Sequence, residues 1–174
     1  QFPETLFVID EAYYAFVEGF QSALSLRLPN IVVVRSMTKE YALAGVRLGY
    51  VVASSPFIEA LTRVRIPWSV NAMAQAAGVA ALADHDLYRQ HWVRLATDAM
   101  QFRRDLTQLG YALYPSHTHY FLMDVQHGAT FRNALLPHRY LVRLCDSFGL
   151  PHCVRIATRT APENQRLLEV LRAL

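Results

Sequence analysis

One short segment of this 174-residue chain collects side chains that could act together in a reaction. Lys39 is a primary amine with two hydroxyl groups close to it in the sequence, those of Ser36 and Thr38, and Arg47 follows eight residues later. The segment comes directly after the apolar run at 31–34, which has the length of a buried strand. A lysine in this company is poorly explained as an ordinary surface residue.

A second apolar run, at 6–9, also ends in polar groups, the carboxylate of Asp10 and the phenol of Tyr13. Buried strands that end in polar side chains are typical of the carboxyl edge of an α/β sheet, where ligands usually bind. A primary amine can form a Schiff base with an aldehyde, and a carboxylate can pair with a pyridinium nitrogen. A phenol can donate to an oxyanion, while hydroxyl groups and a guanidinium can hold a phosphate. The residues by themselves therefore favour an enzyme that uses pyridoxal 5′-phosphate (PLP).

The chain resembles the later half of a fold-type I PLP enzyme of the class I and II aminotransferase group. The similarity rests on four segments in family order: LFVIDEAY at 6–13, SMTKEYALAGVRLGY at 36–50, PWSVNAMAQAAGVAAL at 67–82 and LVRLCDSFGLPHCVRIATRTAPENQRLLEVL at 141–171. Within the group, the chain is most similar to the branch of histidinol-phosphate aminotransferase and threonine-phosphate decarboxylase. The combined spacing of Asp10, Lys39 and Arg47 makes the resemblance specific.

The resemblance assigns six residues to the cofactor, namely Asp10, Tyr13, Ser36, Thr38, Lys39 and Arg47. Lys39 would be the catalytic residue, because it would hold PLP as a Schiff base and later move the proton of the substrate Cα. Asp10 would keep the ring nitrogen protonated, and Tyr13 would donate to the phenolic oxygen of the cofactor. We expect Arg47 within a third strand at 46–53, where a phosphate dianion would balance its charge.

Two arginines late in the chain, Arg143 and Arg155, are the candidates for substrate binding. Arg155 lies within the apolar run at 153–157, which predicts a charge inside a buried strand. By the resemblance, Arg155 would bind the α-carboxylate of the substrate with two donors, and Arg143 would bind a distal phosphate group. A surface salt bridge is the alternative for Arg143. His119 departs from the family, which commonly has asparagine at this position.

The order of the predicted elements indicates an α/β protein. The resemblance implies the fold of fold-type I PLP-dependent transferases, with the second half of the cofactor-binding large domain at 1–105 and a small C-terminal α/β domain at 106–174. Apolar residues at helical spacing predict a long helix over 86–109, which Gly110 ends. A capping box at Thr160–Glu163 predicts a final helix.

Composition and charge restrict the class of protein. Hydrophobic residues make up 53% of the chain and charged residues 18%, which indicates a globular chain and not a disordered one. The net charge of +3 is too small to argue for nucleic acid, and no run has the length and apolarity of a membrane span. Cys145 and Cys153 are expected as free thiols, which favours the cytoplasm. The spacing of His117 and His119 fits no standard zinc site, so we expect no metal.

The start of the chain bears on how much of the protein it represents. Family members carry a long segment ahead of the strand that ends at Asp10, with a glycine-containing phosphate loop and an aromatic residue that stacks on the cofactor. Neither feature precedes this strand in the sequence. We therefore expect a C-terminal fragment of a longer enzyme, inactive when isolated and a homodimer when full-length.

The residues and the resemblance together predict a PLP-dependent aminotransferase of amino-acid biosynthesis, similar to histidinol-phosphate aminotransferase. It would transfer an amino group between a phosphorylated amine or amino acid and a 2-oxo acid, with no nucleic-acid or membrane partner.

Three alternatives stay open. The segment PWSVN at 67–71 resembles the threonine-phosphate decarboxylase branch more than the aminotransferase branch. The run LFVIDEA at 6–12 is also typical of the Walker B strand of an ATPase, although the chain has no Walker A loop. The third alternative is a truncated domain without catalytic activity.

Overall fold

The computed structural model describes residues 2–174, which separate between Trp92 and Val93 into two compact units. We call them the N-terminal unit and the C-terminal unit. The division falls inside the helix His85–Gln108, as does the predicted boundary between residues 105 and 106. The assignment of 1–105 and 106–174 as functional domains stays a prediction.

The N-terminal unit contains a three-stranded sheet with helical connections. Its strands and α-helices are β1 (Phe7–Asp10), β2 (Ile31–Arg35), α1 (Met37–Glu40), β3 (Tyr50–Val52), α2 (Ser55–Val64), α3 (Ala72–Ala83) and the first part of α4 (His85–Gln108). Short 3-10 turns occupy Tyr14–Phe16, Ala23–Leu26 and Ala44–Val46. The strand order is β1-β2-β3, with β2 parallel to β1 and antiparallel to β3. Since β1 and β2 are parallel, their carboxyl ends lie at the same edge of the sheet.

The alanine-rich helix α3 can pack closely because one of its buried positions is a glycine. A Cβ atom at Gly78 would lie only 2.6 Å from Cδ2 of Leu48 and 3.6 Å from the sulfur of Met37. The side chain of Asn71 accepts a hydrogen bond from the backbone N–H of Ala74 at 2.8 Å and so caps the start of this helix. Helix α3 thereby packs against Met37 of α1 and against Leu48, which precedes β3.

The C-terminal unit has a four-stranded antiparallel sheet. Its elements after α4 are β4 (Ala112–Leu113), β5 (Tyr120–Asp124), α5 (Gly128–Leu135), β6 (Arg143–Leu144), β7 (Cys153–Ala157) and α6 (Ala161–Ala173), with 3-10 turns at Leu136–His138 and Asp146–Phe148. The strand order is β4-β5-β7-β6. Buried residues of α4, α5, α6 and the sheet form one apolar cluster, which includes Phe102, Leu106, Phe121, Met123, Leu135, Val154 and Leu168.

The two helices predicted from local signals are confirmed. Helix α4 runs over His85–Gln108, and Gly110 follows it with φ +91°, a backbone conformation that favours glycine. Helix α6 begins after Thr160, and the predicted capping box is present because Thr160 and Glu163 cap each other reciprocally. Among the described residues, no helix is both long enough and apolar enough to cross a membrane.

The prediction of a third strand over 46–53 was wrong at its beginning. Strand β3 covers only Tyr50–Val52, and the preceding residues form a 3-10 turn that ends at Arg47 with φ +57°. The apolar residue Leu48 suggested a strand, but its side chain packs against helix α3 at Gly78. The strand begins beyond Gly49, where a Cβ atom would lie 2.8 Å from the backbone oxygen of Arg35.

Candidate active site

Asp10 lies at the carboxyl end of β1, at the sheet edge where both parallel strands end. Its side chain is exposed, and Oδ1 accepts a hydrogen bond from the backbone N–H of Ala12 at 2.9 Å. This local bond orients one carboxylate oxygen and leaves the other open toward solvent. The carboxylate is therefore held at the sheet edge and accessible to a ligand.

Lys39 follows the end of β2, in the short helix α1 that Ser36 precedes. Its side chain is exposed, whereas its neighbours Thr38 and Glu40 are buried. The Nζ atom lies 5.8 Å from the centre of the Tyr13 ring. The structure thus brings the predicted amine and the predicted phenol together, although 26 positions separate them in the sequence.

Lys39 is the only lysine in the chain, since every other cation among the 17 lysine and arginine residues is an arginine. Arginine remains protonated at any ordinary pH and does not attack aldehydes, whereas a lysine amine does. Any covalent chemistry of a side-chain amine in this chain therefore falls on Lys39.

The two predicted hydroxyl groups contact each other. Ser36 Oγ and Thr38 Oγ1 are 2.7 Å apart and share a hydrogen bond. Ser36 is half-buried and Thr38 is buried, at 8% exposed, so neither hydroxyl is a freely solvated surface group. Paired neutral donors of this kind, beside a cation, suit a bound phosphate.

The structure corrects the setting predicted for Arg47. The side chain is exposed, and its Nη1 donates to the backbone oxygen of Ala44 at 3.0 Å. The argument that a buried charge here needs a phosphate was therefore wrong, because the residue ends a surface turn and does not begin an apolar strand. Its role in phosphate binding stays a prediction that rests on the resemblance and on its free donors.

Sequence reasoning missed a set of charged residues beneath the site. Glu11, directly after Asp10, is 3% exposed and forms an ion pair with Arg35 at 2.9 Å. Glu40, directly after Lys39, is 2% exposed, and burial raises the pKa of its carboxyl group, while the Tyr14 hydroxyl and the Arg35 cation act in the opposite direction. The available signal was the presence of charged residues at the ends of strongly apolar runs, where burial demands partners.

The donor set at this edge fits PLP by its chemistry. An amine, a carboxylate and a phenol are the groups that the aldehyde, the ring nitrogen and the phenolic oxygen of the cofactor require. Two hydroxyl groups and one guanidinium can donate hydrogen bonds to the phosphate group of the cofactor. Asp10 and Tyr13 lie at and just beyond the end of β1, and Ser36, Thr38 and Lys39 lie just beyond the end of β2. Arg47 lies at the end of the 3-10 turn that follows α1.

The two candidate substrate arginines lie in the C-terminal unit and face each other. Arg143 of β6 is directly opposite Arg155 of β7 in the antiparallel pair. The prediction that Arg155 is a charge inside a buried strand was wrong, because β7 alternates and Arg155 lies on its exposed side. The guanidinium carbon of Arg155 lies 5.2 Å from the centre of the Tyr120 ring.

Like charges directly across a strand pair destabilise the sheet unless an anion compensates them. A cavity of the C-terminal unit is lined by both arginines and by three more, Arg139, Arg159 and Arg166. The carboxylate of Glu163, which also lines it, is already paired with Arg159 at 3.0 Å. The excess of positive charge makes this cavity suitable for an anionic ligand.

His119 and the cysteines give no sign of a metal site. No group of three or more potential metal ligands occurs within residues 2–174. Burial lowers the pKa of His119, which favours a neutral imidazole in the interior of the C-terminal unit. Cys145 and Cys153 are both buried and are not joined by a disulfide.

Residues 3–171 match the family model described as aminotransferase class I and II. The chain belongs to this family. It is 40% identical over 172 residues to histidinol-phosphate aminotransferase 1 of Nitrosococcus oceani, covering 95% of this chain and 46% of that protein. It is 37% identical to histidinol-phosphate aminotransferase of Nitratidesulfovibrio vulgaris strain Hildenborough, covering 99% of this chain and 48% of that protein. The chain thus spans about half the length of the curated relatives it matches.

Solved structures agree with this assignment. The chain resembles L-threonine-O-3-phosphate decarboxylase from Porphyromonas gingivalis with a TM-score of 0.88 and 28% identity, over 99% of this chain and 55% of that one. It also resembles histidinol-phosphate aminotransferase from Sinorhizobium meliloti in complex with pyridoxal-5′-phosphate, with a TM-score of 0.77 and 28% identity, over 98% and 50% of the two chains.

The predicted family and fold class are confirmed by these comparisons. The ATPase alternative does not fit a chain of this family. The roles of the individual site residues stay predictions.

Proposed function

We propose that the full-length protein is a PLP-dependent aminotransferase that transfers an amino group between a phosphorylated amine or amino acid and a 2-oxo acid. The observation that carries the proposal is the meeting of Asp10, Tyr13 and the sole lysine, Lys39, at one sheet edge. The relatives that are 37–40% identical are histidinol-phosphate aminotransferases, which supports the phosphorylated substrate. When bound, PLP supplies an aromatic ring that accepts the electron pair left when a bond to the substrate Cα breaks.

Lys39 has two tasks in this proposal. Its exposed amine would hold the cofactor through the aldehyde carbon, and the same amine would move the proton at the substrate Cα. Thr38 and Glu40 on either side are buried, so the side chain of Lys39 is the exposed one in α1.

Asp10 and Tyr13 orient the ring of the cofactor. With the oxygen that Ala12 does not occupy, Asp10 would accept a hydrogen bond from the protonated ring nitrogen, and its negative charge would keep that nitrogen protonated. Tyr13 donates its hydroxyl to the phenolic oxygen of the ring. Ser36, Thr38 and Arg47 donate to the phosphate group and hold it in place.

The substrate binds through arginines of the C-terminal unit. Arg155 donates two hydrogen bonds to the α-carboxylate of an amino-acid substrate, and Arg143 donates to the phosphate of the phosphorylated substrate. The face-to-face position of Arg143 and Arg155 in β6 and β7 supports one anion-binding surface with two adjacent subsites.

We also propose that the full-length protein is a cytoplasmic homodimer. Size-exclusion chromatography with light scattering would test the dimer by its mass.

Covalent trapping tests the central assignment. The full-length protein is incubated with PLP, reduced with borohydride and mapped by peptide mass spectrometry. We expect one modified site within this chain, at Lys39. The matched control is Lys39→Arg, which keeps the positive charge and removes the nucleophilic amine. If Lys39→Arg still fixed PLP within this chain, or transferred amino groups at the wild-type rate, the proposed function would be overturned.

A decarboxylase of phosphorylated threonine is the second candidate. It is favoured by the TM-score of 0.88 to the Porphyromonas gingivalis decarboxylase and by the PWSVN segment at 67–71. The two reactions differ in their co-substrate, because transamination requires a 2-oxo acid whereas decarboxylation releases CO₂ without one. Supplying O-phosphothreonine without a 2-oxo acid and measuring repeated turnover of CO₂ distinguishes them.

A further inference from the structure

Four of the six candidate cofactor residues have a buried or half-buried polar neighbour in the chain. The pairs are Asp10–Glu11, Tyr13–Tyr14, Arg35–Ser36 and Lys39–Glu40. One member of each pair is a predicted cofactor ligand. The other member, which we call the inner residue, is Glu11, Tyr14, Arg35 or Glu40 and lies beneath the site. The inner residues touch no part of a bound cofactor in the proposed function and have no task in it.

Glu11 is the centre of this inner set. Its side chain is 1% exposed and accepts hydrogen bonds from Ser22 Oγ at 2.8 and 2.9 Å and from the backbone N–H of Ala23 at 2.8 Å. Arg35 donates to the same carboxylate from Nε at 3.2 Å and from Nη2 at 2.9 Å. The carboxylate is therefore surrounded by donors, which is the condition for a buried charge to be stable.

The ion pair joins the carboxyl ends of the two strands that carry the site. Glu11 follows the last residue of β1, and Arg35 is the last residue of β2. The guanidinium of Arg35 also lies over the ring of Tyr14, with its central carbon 3.8 Å from the ring centre. Arg35 thereby contacts Glu11, which follows Asp10, and Tyr14, which follows Tyr13. Ser36 is the next residue after Arg35 in the sequence.

The far side of the lysine segment is held separately. The indole Nε1 of Trp92 donates to the backbone oxygen of Glu40 at 2.6 Å, and Trp92 is buried. The hydroxyl of Tyr41 shares a hydrogen bond with Nδ1 of His85 at 2.9 Å. The segment that carries Lys39 is consequently fixed at both ends, by Arg35 before it and by Trp92 after it.

We propose that Glu11 is a positioning residue, which acts through Arg35 to set the separation between Asp10 on β1 and Lys39 after β2. This inference rests on the proposed function, because it concerns two groups that bind different atoms of one rigid cofactor. A ring nitrogen and an aldehyde carbon on the same ring are a fixed distance apart, so their two protein partners must be held at a matching separation. A displacement of about 1 Å in such an arrangement can lower a rate about a hundredfold.

The test uses three forms of the full-length protein with altered ion pairs. Glu11→Asp keeps the charge and shortens the side chain by one methylene group. Glu11→Gln leaves the Arg35 cation without its carboxylate, and the double variant Glu11→Gln/Arg35→Met removes both charges. Asp105→Asn is the matched control, because it neutralises a carboxylate of α4 that accepts a hydrogen bond from Gln101 at 2.8 Å and lies outside both the candidate site and the arginine-lined cavity.

Three quantities are measured for each form: the rate at which PLP is captured on Lys39 in a borohydride-quenched time course, kcat with KM for the amino donor, and Tm of the cofactor-free protein. We expect Glu11→Asp to lower the capture rate and kcat about tenfold to a hundredfold with KM little changed. Glu11→Gln should also lower Tm, because it leaves a buried charge unpaired. In the double variant Tm should recover, while the capture rate and kcat should stay low.

A purely structural role predicts a different pattern. Recovery of kcat together with Tm in the double variant, or a loss in Glu11→Asp no larger than in Asp105→Asn, would overturn the positioning role while the proposed function stood. A wild-type protein that captures no PLP on Lys39 would overturn the proposed function and this inference with it.

Discussion

The N-terminal unit buries charged residues and exposes large apolar ones, whereas the C-terminal unit has a closed apolar core. In the N-terminal unit Glu11 is 3% exposed while Trp68 is 95% exposed. In the C-terminal unit Leu106 and Met123 are fully buried, in one cluster contributed by α4, α5, α6 and the sheet. The C-terminal unit is therefore stabilised mainly by its own apolar contacts.

The difference shows where the molecule tolerates buried charge. Buried ion pairs add little net stability compared with apolar packing, so their presence in the N-terminal unit needs another reason. The charges lie directly beneath the predicted cofactor site, where they fix the segments that carry Asp10 and Lys39. The C-terminal unit instead presents its cations on the exposed side of a sheet whose other side is apolar.

The largest expected effect concerns catalysis in the N-terminal unit. Asp10→Asn in the full-length protein should lower kcat/KM about 10³-fold, because a neutral amide no longer keeps the ring nitrogen protonated. The side-chain oxygen that accepts from Ala12 remains in asparagine, so the turn should keep its shape. Steady-state kinetics with a circular dichroism control would measure this, and near-normal turnover would remove Asp10 from the mechanism.

A matched pair of methionines tests the contrast in packing. Met123 of the C-terminal unit is fully buried, and Met73 of the N-terminal unit is 72% exposed. Met123→Ala should lower the free energy of unfolding by about 3 kcal/mol, whereas Met73→Ala should change it by less than about 0.5 kcal/mol. Urea unfolding of both variants would show the difference. Equal losses would mean that the face around Met73 is covered in the full-length protein.

The two opposed arginines should differ in their kinetic effects. Arg155→Ala should weaken every amino-acid substrate by about 2 kcal/mol, since each one carries an α-carboxylate. Arg143→Ala should mainly affect the phosphorylated substrate and leave a short neutral amino acid nearly unchanged. Stopped-flow measurement of each half-reaction separates these effects. If Arg143→Ala weakened phosphorylated and unphosphorylated substrates equally, the specificity for a phosphate ester would be wrong.

The smallest expected effect is the pH-dependent capping of α6. Hydrogen bonds from Thr160 and Arg159 lower the pKa of Glu163 from 4.5 to about 2. Because the folded-state pKa is the lower one, the stabilisation is present above pH 4.5 and is lost as the pH falls toward 2. Glu163→Ala should lower Tm by at most about 2–4 °C at pH 7. The gap from wild type should shrink between those two pH values, and a gap independent of pH would contradict the assignment.

The sequence by itself determined the features that depend on near neighbours. The capping box of Thr160 and Glu163, the extent of α4 and the glycine after it follow from signals within a few residues. The family likewise followed from the motifs around Asp10, Lys39 and Arg47, and the match over residues 3–171 confirms it. Such signals are readable because each one acts through backbone bonds or spacing inside one element.

Only the tertiary structure decided whether a charged residue within an apolar run is buried or exposed. The sequence predicts Arg47 and Arg155 as charges in buried strands, whereas both are exposed in the structure. In the first case the chain turns at Ala44–Val46 before the strand begins, and in the second the strand alternates between its two faces. Periodicity in a short run does not distinguish these arrangements, because two or three apolar residues fit a turn, an alternating strand or a buried strand equally well.

Long-range pairing also decided what the charged residues do. The register of β6 and β7 sets Arg143 opposite Arg155, and the parallel register of β1 and β2 brings Glu11 to Arg35. Neither pairing is encoded by spacing along the chain, since 24 positions separate Glu11 from Arg35. The reactive groups of the N-terminal unit could be identified from the sequence. The buried residues that hold them follow from the sheet register, because only packing determines which charged groups are buried next to each other.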